Sequence, residues 1–400
     1  MLLNIIIALV LLKIIIFLLL PKKPMYETDE STIEKMKNKG VDIIVPMYNE
    51  EKIIFETVEA LKKVKYHNLT IILVDDGSSD ETLNIVRKHY EQEQNFIIIS
   101  QQNKGKASAL NNAIKNSNNE IIICIDADTI IEPDLIEKLL PYFQDPRVAA
   151  VSGNIKISNK INLITKIQST EYMTMYNYDR ELFEAVNGIL IIPGALGAFR
   201  RQVVNSLGGY KSDTLAEDTE LTSRILCNNY FIRNASDVVG YTEAPADLKM
   251  FLRQRIRWKV GTFQVLSNYP LSHPNKILSY LIIPYNWIFG MILPVITPII
   301  DYLVFYRCLF VHDLSLLKSY LLFIVIDSAI CSVIIMIIKE SPSQIFFMVF
   351  QRFFLRQLAF LTNIAIVFKA ITGDLFRWKK ITRYGTKDPN LHNIKQTKIS

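Results

Sequence analysis

The chain is poor in cysteine and shows no pairing among the few it has. Cys124, Cys227, Cys308 and Cys331 are scattered over 400 residues with neither disulfide nor metal-ligand spacing. That excludes a disulfide framework and reads as apolar residues of a reducing compartment. Charge of one sign is scarce too: 45 Lys and Arg against 39 Asp and Glu leave a formal net charge of +6. The basic residues are spread out and tied to apolar flanks, so no nucleic-acid footprint is present, and the modest excess fits a membrane surface. A cleavage site is also missing. Residues 2–20 carry one charge, Lys13, in a run long enough to cross a bilayer. Pro21-Lys22-Lys23-Pro24 follows without a small-residue pattern, which predicts an uncleaved anchor and not a signal peptide. By the positive-inside tendency Lys22 and Lys23 put the amino terminus outside and the next segment in the cytoplasm.

What is present is apolar residue in two masses, the first twenty residues and everything after about 279, within a total of 50% hydrophobic. The division expected is an anchor over 1–24, a polar linker over 25–40, a soluble α/β domain over 41–245, an amphipathic interfacial helix over 246–275, a membrane region over 276–372 and a basic cytoplasmic tail over 373–400. Candidate spans are 281–306, 320–338 and 345–371, the last holding Gln351, Arg352, Arg356 and Gln357, which are costly in lipid unless they face protein or water. The tail's Arg377, Lys379, Lys380 and Arg383 want the cytoplasmic side. One span before the domain and three after it would leave the tail outside, so one of the three is expected to be interfacial or re-entrant. The stretch around Arg352 and Arg356 is the candidate for that departure.

Within the soluble part, predicted strands over 41–45, 69–74, 96–100 and 121–125 alternate with predicted helices around 50–63, 80–91 and 107–116. Such alternation argues for a mostly parallel sheet with right-handed crossovers, which binds ligands at the carboxyl ends of its strands. Those ends carry Pro46-Met-Tyr48-Asn-Glu50, Asp75-Asp76-Gly-Ser78, Gln102-Asn-Lys-Gly-Lys106 and Asp126-Ala-Asp128. After a strand at 148–153 the pattern loosens into a long helix over 162–184, a glycine-rich turn over 193–201 and a helix start at 215–221. A helix over 246–264 places Leu248, Phe251, Leu252, Ile256, Val260 and Phe263 on one stripe, with Gln254, Arg257 and Trp258 roughly opposite, a division suited to a membrane surface.

Several of these residues carry chemistry, each with a plainer reading beside it. Asp126 and Asp128 point the same way on extended chain, and hard oxygen ligands there suit a divalent cation held against a diphosphate; the alternative is a cap for the helix opening after Glu132-Pro133-Asp134. Asp76 could accept the imide N–H of a uracil, while Ser78 and Glu81 make a capping box. Lys104-Gly-Lys106 opens a helix where phosphate can bind, or is simply solvated. Pro46, Tyr48 and Glu50 are also ordinary turn chemistry. Glu217 and Asp218 either supply a carboxylate that takes a proton from an attacking hydroxyl or cap a helix. Gln254, Arg257 and Trp258 offer a diphosphate clamp and a flat face for a sugar, or an interfacial Arg/Trp belt.

Taken in order, Val74-Asp-Asp-Gly-Ser78, Asp126-Ala-Asp128, Glu217-Asp218 and Gln254-Arg-Ile-Arg-Trp258 resemble the family 2 glycosyltransferases of the GT-A fold, over about 40–265. More closely the chain looks like the processive membrane synthases of cellulose, hyaluronan, chitin and poly-N-acetylglucosamine, and Thr242-Glu-Ala-Pro245 looks most like the poly-N-acetylglucosamine branch. The resemblance implies a Rossmann-like GT-A domain and an inverting, metal-dependent transfer with Mg²⁺ or Mn²⁺. The donor would be a UDP-sugar, N-acetylglucosamine or glucose, and the acceptor the end of a β-linked glycan. It implies UDP contacts from Pro46, Tyr48, Glu50, Asp76, Lys106 and Asp126, and metal contacts from Asp128 with Asp126. Asp218 would be the base. Gln254, Arg257, Trp258 and Glu217 would lie at the diphosphate and acceptor, with the turn over 194–201 on the acceptor side. The larger members of the family have more spans, and nothing like a nucleotide-sensor domain follows the last apolar segment. A multi-pass protein of the cell membrane is expected, touching lipid and served by a small auxiliary membrane subunit. The rival readings are a single-transfer enzyme acting on a lipid acceptor and a non-catalytic assembly subunit.

Overall fold

A computed structural model describes residues 38–269, 274–337 and 343–372, with Ala8, Leu11 and Met36 besides. The expected anchor apart from Ala8 and Leu11, most of the linker, and the basic tail lie outside the described residues.

The runs of β-branched residues form four parallel strands, β1 (Val41–Met47), β2 (Leu69–Asp75), β3 (Phe96–Ser100) and β4 (Ile121–Ile125). Their crossovers contain α1 (Ile54–Leu61), α2 (Thr82–Tyr90) and α3 (Lys106–Lys115). Neighbouring residues of β1 enter opposite cores, Ile43 with Leu73 and Ile123, Ile44 with Val74, Cys124 and Leu110. Burial on both faces explains why β1, β2 and β4 read as unbroken apolar runs and not as alternation, while β3 is the partly exposed edge.

The sheet then changes character. Beyond β4 lie β7 (Leu196–Arg200), β6 (Val148–Ile157), β8 (Phe231–Thr242) and the three-residue β5 (Thr129–Ile131), giving the order β3-β2-β1-β4-β7-β6-β8-β5. β7 is antiparallel to both of its neighbours, β5 is antiparallel to β8, and β6 runs parallel to β8 with register shifts near Val148 and Gly153. Four of the seven pairings are parallel, so the expected α/β, mostly parallel sheet is present.

Two local expectations give way. Ser78 and Glu81 form no capping box: Glu81 is the N-cap of α2 without a side-chain bond, and the Ser78 hydroxyl accepts the Asn49 N–H at 2.9 Å instead. The helix after Pro133, α4 (Leu135–Leu139), has Asp134 as its N-cap, so Asp126 and Asp128 precede β5 and cap no helix. The long helix over 162–184 forms as α5 (Leu163–Glu171) and α6 (Tyr178–Glu184), joined by a π-helical turn at Tyr172–Asn177.

Next come α7 (Arg201–Ser206), α8 (Glu217–Cys227) and the 21-residue α9 (Leu248–Asn268). The helix α9 packs against α8, and its buried residues include Phe251, Gln254, Arg255, Val260, Gln264 and Leu266. Polar positions are thus covered by protein as well as apolar ones, and the stripe seen in the sequence does not by itself set how the helix sits. The apolar helices are α10 (Leu278–Val311), α11 (Leu317–Ile337) and α12 (Ser343–Thr372), with α12 packing on α9, α10 and α11. Among the described residues α10, at 34 residues, is the one helix long and apolar enough to cross a membrane. The stretch around Arg356 lies within α12, one helix of 30 residues, roughly 45 Å long. Its polar groups meet protein: buried Asp301 accepts from Gln357 at 2.8 Å and from the Tyr320 hydroxyl at 2.9 Å, and Arg356 lies 3.4 Å away.

Candidate functional site

The carboxyl ends of β1, β2 and β3 are tied into one unit. Asn49, at a φ of 52°, accepts the Ser79 N–H at 2.7 Å, and the Glu50 N–H donates to Thr82 Oγ1 at 2.7 Å. Asp76 is 5% exposed and closes the unit from the other side. Its Oδ1 accepts from Gln101 Nε2 at 2.7 Å and the Lys104 N–H at 2.9 Å, and its Oδ2 from the Gly105 N–H at 2.8 Å. A carboxylate has about four acceptor positions, so at least one of Asp76's remains beyond these three bonds. Gly77 permits the approach: its φ is +74°, and a Cβ there would lie 2.7 Å from the Asn103 nitrogen. Pro46 pairs with Val74 in register, and Tyr48 and Glu50 are half-buried beside the same loops.

Lys106, the first residue of α3, is the hub of the site's charge. Its Nζ is 2.5 Å from Asp126 Oδ1 and 3.5 Å from Glu217 Oε1. Asp218 receives the Thr219 N–H at 2.7 Å and the Gly194 N–H at 3.2 Å, and a Cβ on Gly194 would lie 2.6 Å from Lys106 Nζ. The glycine-rich turn before β7 therefore leaves the room in which lysine and carboxylates meet. Burial works against the lysine's charge, but Asp126, Glu217 and Asp218 outweigh it and hold the ammonium above the ordinary lysine range. Burial, then the charge of Glu217, pushes the Asp218 carboxyl above the ordinary aspartate range, with Lys106 and Arg257 pulling the other way. Glu217 and Asp218 are the first two residues of α8; its N-cap Ala216 makes no side-chain bond, and the Asp218 carboxylate accepts an N–H of the first turn, that of Thr219. A carboxyl raised in this way beside a fixed cation holds a proton more readily than an ordinary aspartate does.

Asp128, at the turn into β5, accepts from the Thr242 hydroxyl at 3.2 Å. No group of three or more His, Cys, Asp or Glu side chains gathers among the described residues. Asp126 and Asp128 are nevertheless the hard oxygen donors that Mg²⁺ or Mn²⁺ takes one or two at a time when phosphate and water complete the shell, so the donor set fits such an ion.

The expected residues of α9 lie on its inner side. Gln254 is buried with an Oε1 that meets no hydrogen-bond partner among the described residues, and Arg257 donates to the Leu215 carbonyl at 3.3 Å beside α8. Trp258 is half-buried against Tyr172 and Tyr176, with centroids 6.2 and 6.0 Å away. Sequence reasoning passed over Tyr172, Tyr176 and Arg255, which surround that indole, and Glu171, which pairs with Arg255; only the π-helical turn brings the two tyrosines there, and no periodicity signals it. It also missed Gln101, whose amide bonds Asp76 and whose Oε1 receives Asn112 at 2.8 Å.

Residues 42–208 match the glycosyl transferase family 2. The poly-beta-1,6-N-acetyl-D-glucosamine synthase of Staphylococcus aureus (strain COL) is 30% identical over 248 residues, 62% of this chain and 58% of that protein. The synthase of the same name from Staphylococcus epidermidis is 26% identical over 271 residues, 67% of this chain and 66% of that one. The match thus spans less than two thirds of either relative. A mannosyltransferase from Pyrobaculum calidifontis, solved in complex with GDP-Man and Mn²⁺, superposes with a TM-score of 0.64 at 22% identity, covering 91% of this chain and 99% of that one. That likeness is one of fold, and the expected GT-A architecture is the one this chain has.

Proposed function

We propose that the chain is a membrane-bound inverting glycosyltransferase that extends a β-linked glycan from a UDP-sugar, a reading supported by the match of residues 42–208 to the glycosyl transferase family 2. N-acetylglucosamine is the favoured sugar and glucose the alternative. The observation that carries the reading is the meeting of Lys106, Asp126, Glu217 and Asp218 at the carboxyl ends of the parallel strands. That gives a fixed cation and a proton acceptor in one place, which group transfer from a nucleotide diphosphate requires.

In this reading Pro46, Tyr48, Glu50 and Asp76 line the uracil and ribose side, and Lys106 meets the diphosphate. Asp218 takes the proton of the acceptor hydroxyl as its oxygen attacks the anomeric carbon from the face opposite UDP. The new glycosidic bond forms while the bond from that carbon to the diphosphate oxygen breaks, and the electron pair leaves with UDP. Lys106 and Arg257 stabilise the departing charge, Gln254 and Glu217 flank it, and Trp258 stacks on the acceptor's terminal sugar. Mg²⁺ or Mn²⁺, held by Asp128 with Asp126, would neutralise diphosphate charge. The apolar helices α10–α12 anchor the domain at the cytoplasmic face of the cell membrane as a multi-pass protein, in contact with lipid and an auxiliary membrane subunit.

The test is UDP release by the detergent-purified chain with each common UDP-sugar, with Mn²⁺, with Mg²⁺ and with chelator, followed by sizing of the product. Metal-dependent release with high-molecular-weight product supports the synthase. A single-sugar glycolipid would transfer the assignment to a lipid acceptor. No turnover of any donor would overturn catalysis and leave the assembly-subunit reading.

A further inference from the structure

The helix α9 carries a buried ion pair that the chemistry above does not use. Arg255 Nη2 lies 2.5 Å from Glu171 Oε2, and the two side chains are 9% and 8% exposed. The guanidinium is enclosed by rings: its carbon is 4.4 Å from the centroid of Trp258, 4.8 Å from Phe251, 5.9 Å from Tyr176 and 6.0 Å from Tyr172. Phe251 and Trp258 stand four residues before and three after Arg255 on the same helix, so both reach over it. Tyr172 and Tyr176 come from the π-helical turn that begins one residue after Glu171. The Arg255 Nη1 also donates to the Tyr176 hydroxyl at 3.4 Å. Glu171, the last residue of α5, is thus the fixed end of a chain that runs through Arg255 to the indole.

We propose that Arg255, clamped by Glu171, is a positioning residue that holds the Trp258 indole in the orientation that receives the acceptor sugar; this rests on the glycosyltransferase reading. A buried ion pair contributes little net stability compared with apolar residues of the same size, so mere fastening of α9 to α5 is a weak reason for it. A planar guanidinium, however, does what no apolar side chain does: it bonds a carboxylate at its edge while stacking a ring on its face. Sugar–aromatic contact depends on the angle of the ring, and an indole free to turn would lose acceptor affinity without any change at the donor.

The experiment uses the full-length chain in detergent with the variants Arg255→Lys and Tyr176→Phe. Initial rates are measured against the UDP-sugar and against short N-acetylglucosamine oligosaccharides. Arg255→Lys keeps a cation for Glu171 but loses the planar stack, and it is expected to raise the acceptor KM about tenfold. Donor KM and acceptor-free hydrolysis of the UDP-sugar should stay within about twofold. Tyr176→Phe keeps the ring and should give a smaller change in the same direction. In a Trp287→Phe, Trp378→Phe background, Arg255→Lys should lower the fluorescence anisotropy of Trp258. Wild-type kinetics in Arg255→Lys, equal change in donor and acceptor constants, or unchanged anisotropy would each overturn the proposal. An absence of donor turnover in the wild type would instead overturn the glycosyltransferase reading, and the anisotropy would still decide whether Arg255 fixes the indole.

Discussion

The parallel half of the sheet and the half beyond β4 finish their polar chemistry differently. At the ends of β1, β2 and β3 the loops bond one another: Asn49 to Ser78 and Ser79, Asp76 to Gln101, Lys104 and Gly105. On the other side α9 brings in Gln254 Oε1 and Gln264 Nε2, buried and without a hydrogen-bond partner among the described residues. Leaving such an atom unpaired costs about 1–3 kcal/mol. The difference teaches that the proposed donor side is held by hydrogen bonds between its own loops, whereas the side toward α9 is held by packing that leaves these two amide atoms unbonded among the described residues. Lys106 and Asp218 stand where the two halves meet.

The largest effect is expected at that seam. Asp218→Asn should lower transfer about 10²–10⁴-fold while UDP binding by titration stays within a few-fold, since the amide keeps the shape and loses the proton acceptor. Equal loss of both would make Asp218 part of the donor side and break the comparison. Asp76→Ala comes next. It removes the acceptor of the Lys104 and Gly105 N–H groups and loosens the loop that leads to Lys106, so the UDP dissociation constant should rise roughly 10- to 100-fold with little change in acceptor KM. A matching rise in acceptor KM would show that the halves are not separable. A smaller effect should come from pH. Asp218 acts when ionised, and its pKa is raised by burial and by Glu217, so the acid limb of the rate should fall at a pH above the ordinary aspartate value of 3.8. Glu217→Gln removes the like charge and should move that limb to lower pH; a limb that does not move would remove Glu217 from the electrostatics of the site.

Legibility in the sequence follows the same division. Burial on both faces makes Ile121–Ile125 apolar throughout, the partly exposed edge strand Phe96–Ser100 also stands where its β-branched run put it, and the polar residues at their ends mark the donor side. Asp126 and Asp128 could be read because they sit one and three residues past Ile125, and Lys106 because it opens the helix six residues past Ser100. Beyond β4 the structure depends on long-range pairing. The strand Thr129–Ile131 exists because β8 pairs with it, and its three residues carry no periodicity of their own. The meeting of Glu171 with Arg255 joins residues 84 apart through a π-helical turn, which follows no 3.6-residue pattern. Ser78 shows the limit of local rules even on the donor side: it satisfies the capping pattern, yet its hydroxyl serves a neighbouring loop.

The smallest expected effect concerns stability, and its sign runs against activity. Asp218 has a folded-state pKa above its unfolded value, because burial and Glu217 disfavour the ionised form more than Lys106 and Arg257 restore it. A raised carboxyl contributes stability that is fully present below the ordinary aspartate range and is lost as pH rises through the raised pKa. At neutral pH the ionised side chain is therefore a net burden that the fold carries for the sake of a proton acceptor. Asp218→Asn removes the charge but keeps one carbonyl oxygen for two N–H groups, Thr219 and Gly194, which Asp218 receives on separate oxygens, so the lost bond offsets part of the gain. Its Tm at neutral pH should rise by no more than a few degrees, since about 1 kcal/mol moves the Tm of a domain this size by roughly 2–4 °C. The advantage should fade as the wild type is acidified and its own Asp218 takes up a proton. A lower Tm for the variant at neutral pH would mean that Lys106 pairs with Asp218 more strongly than Glu217 repels it, and the cluster would then be a stabilising knot and not a strained site.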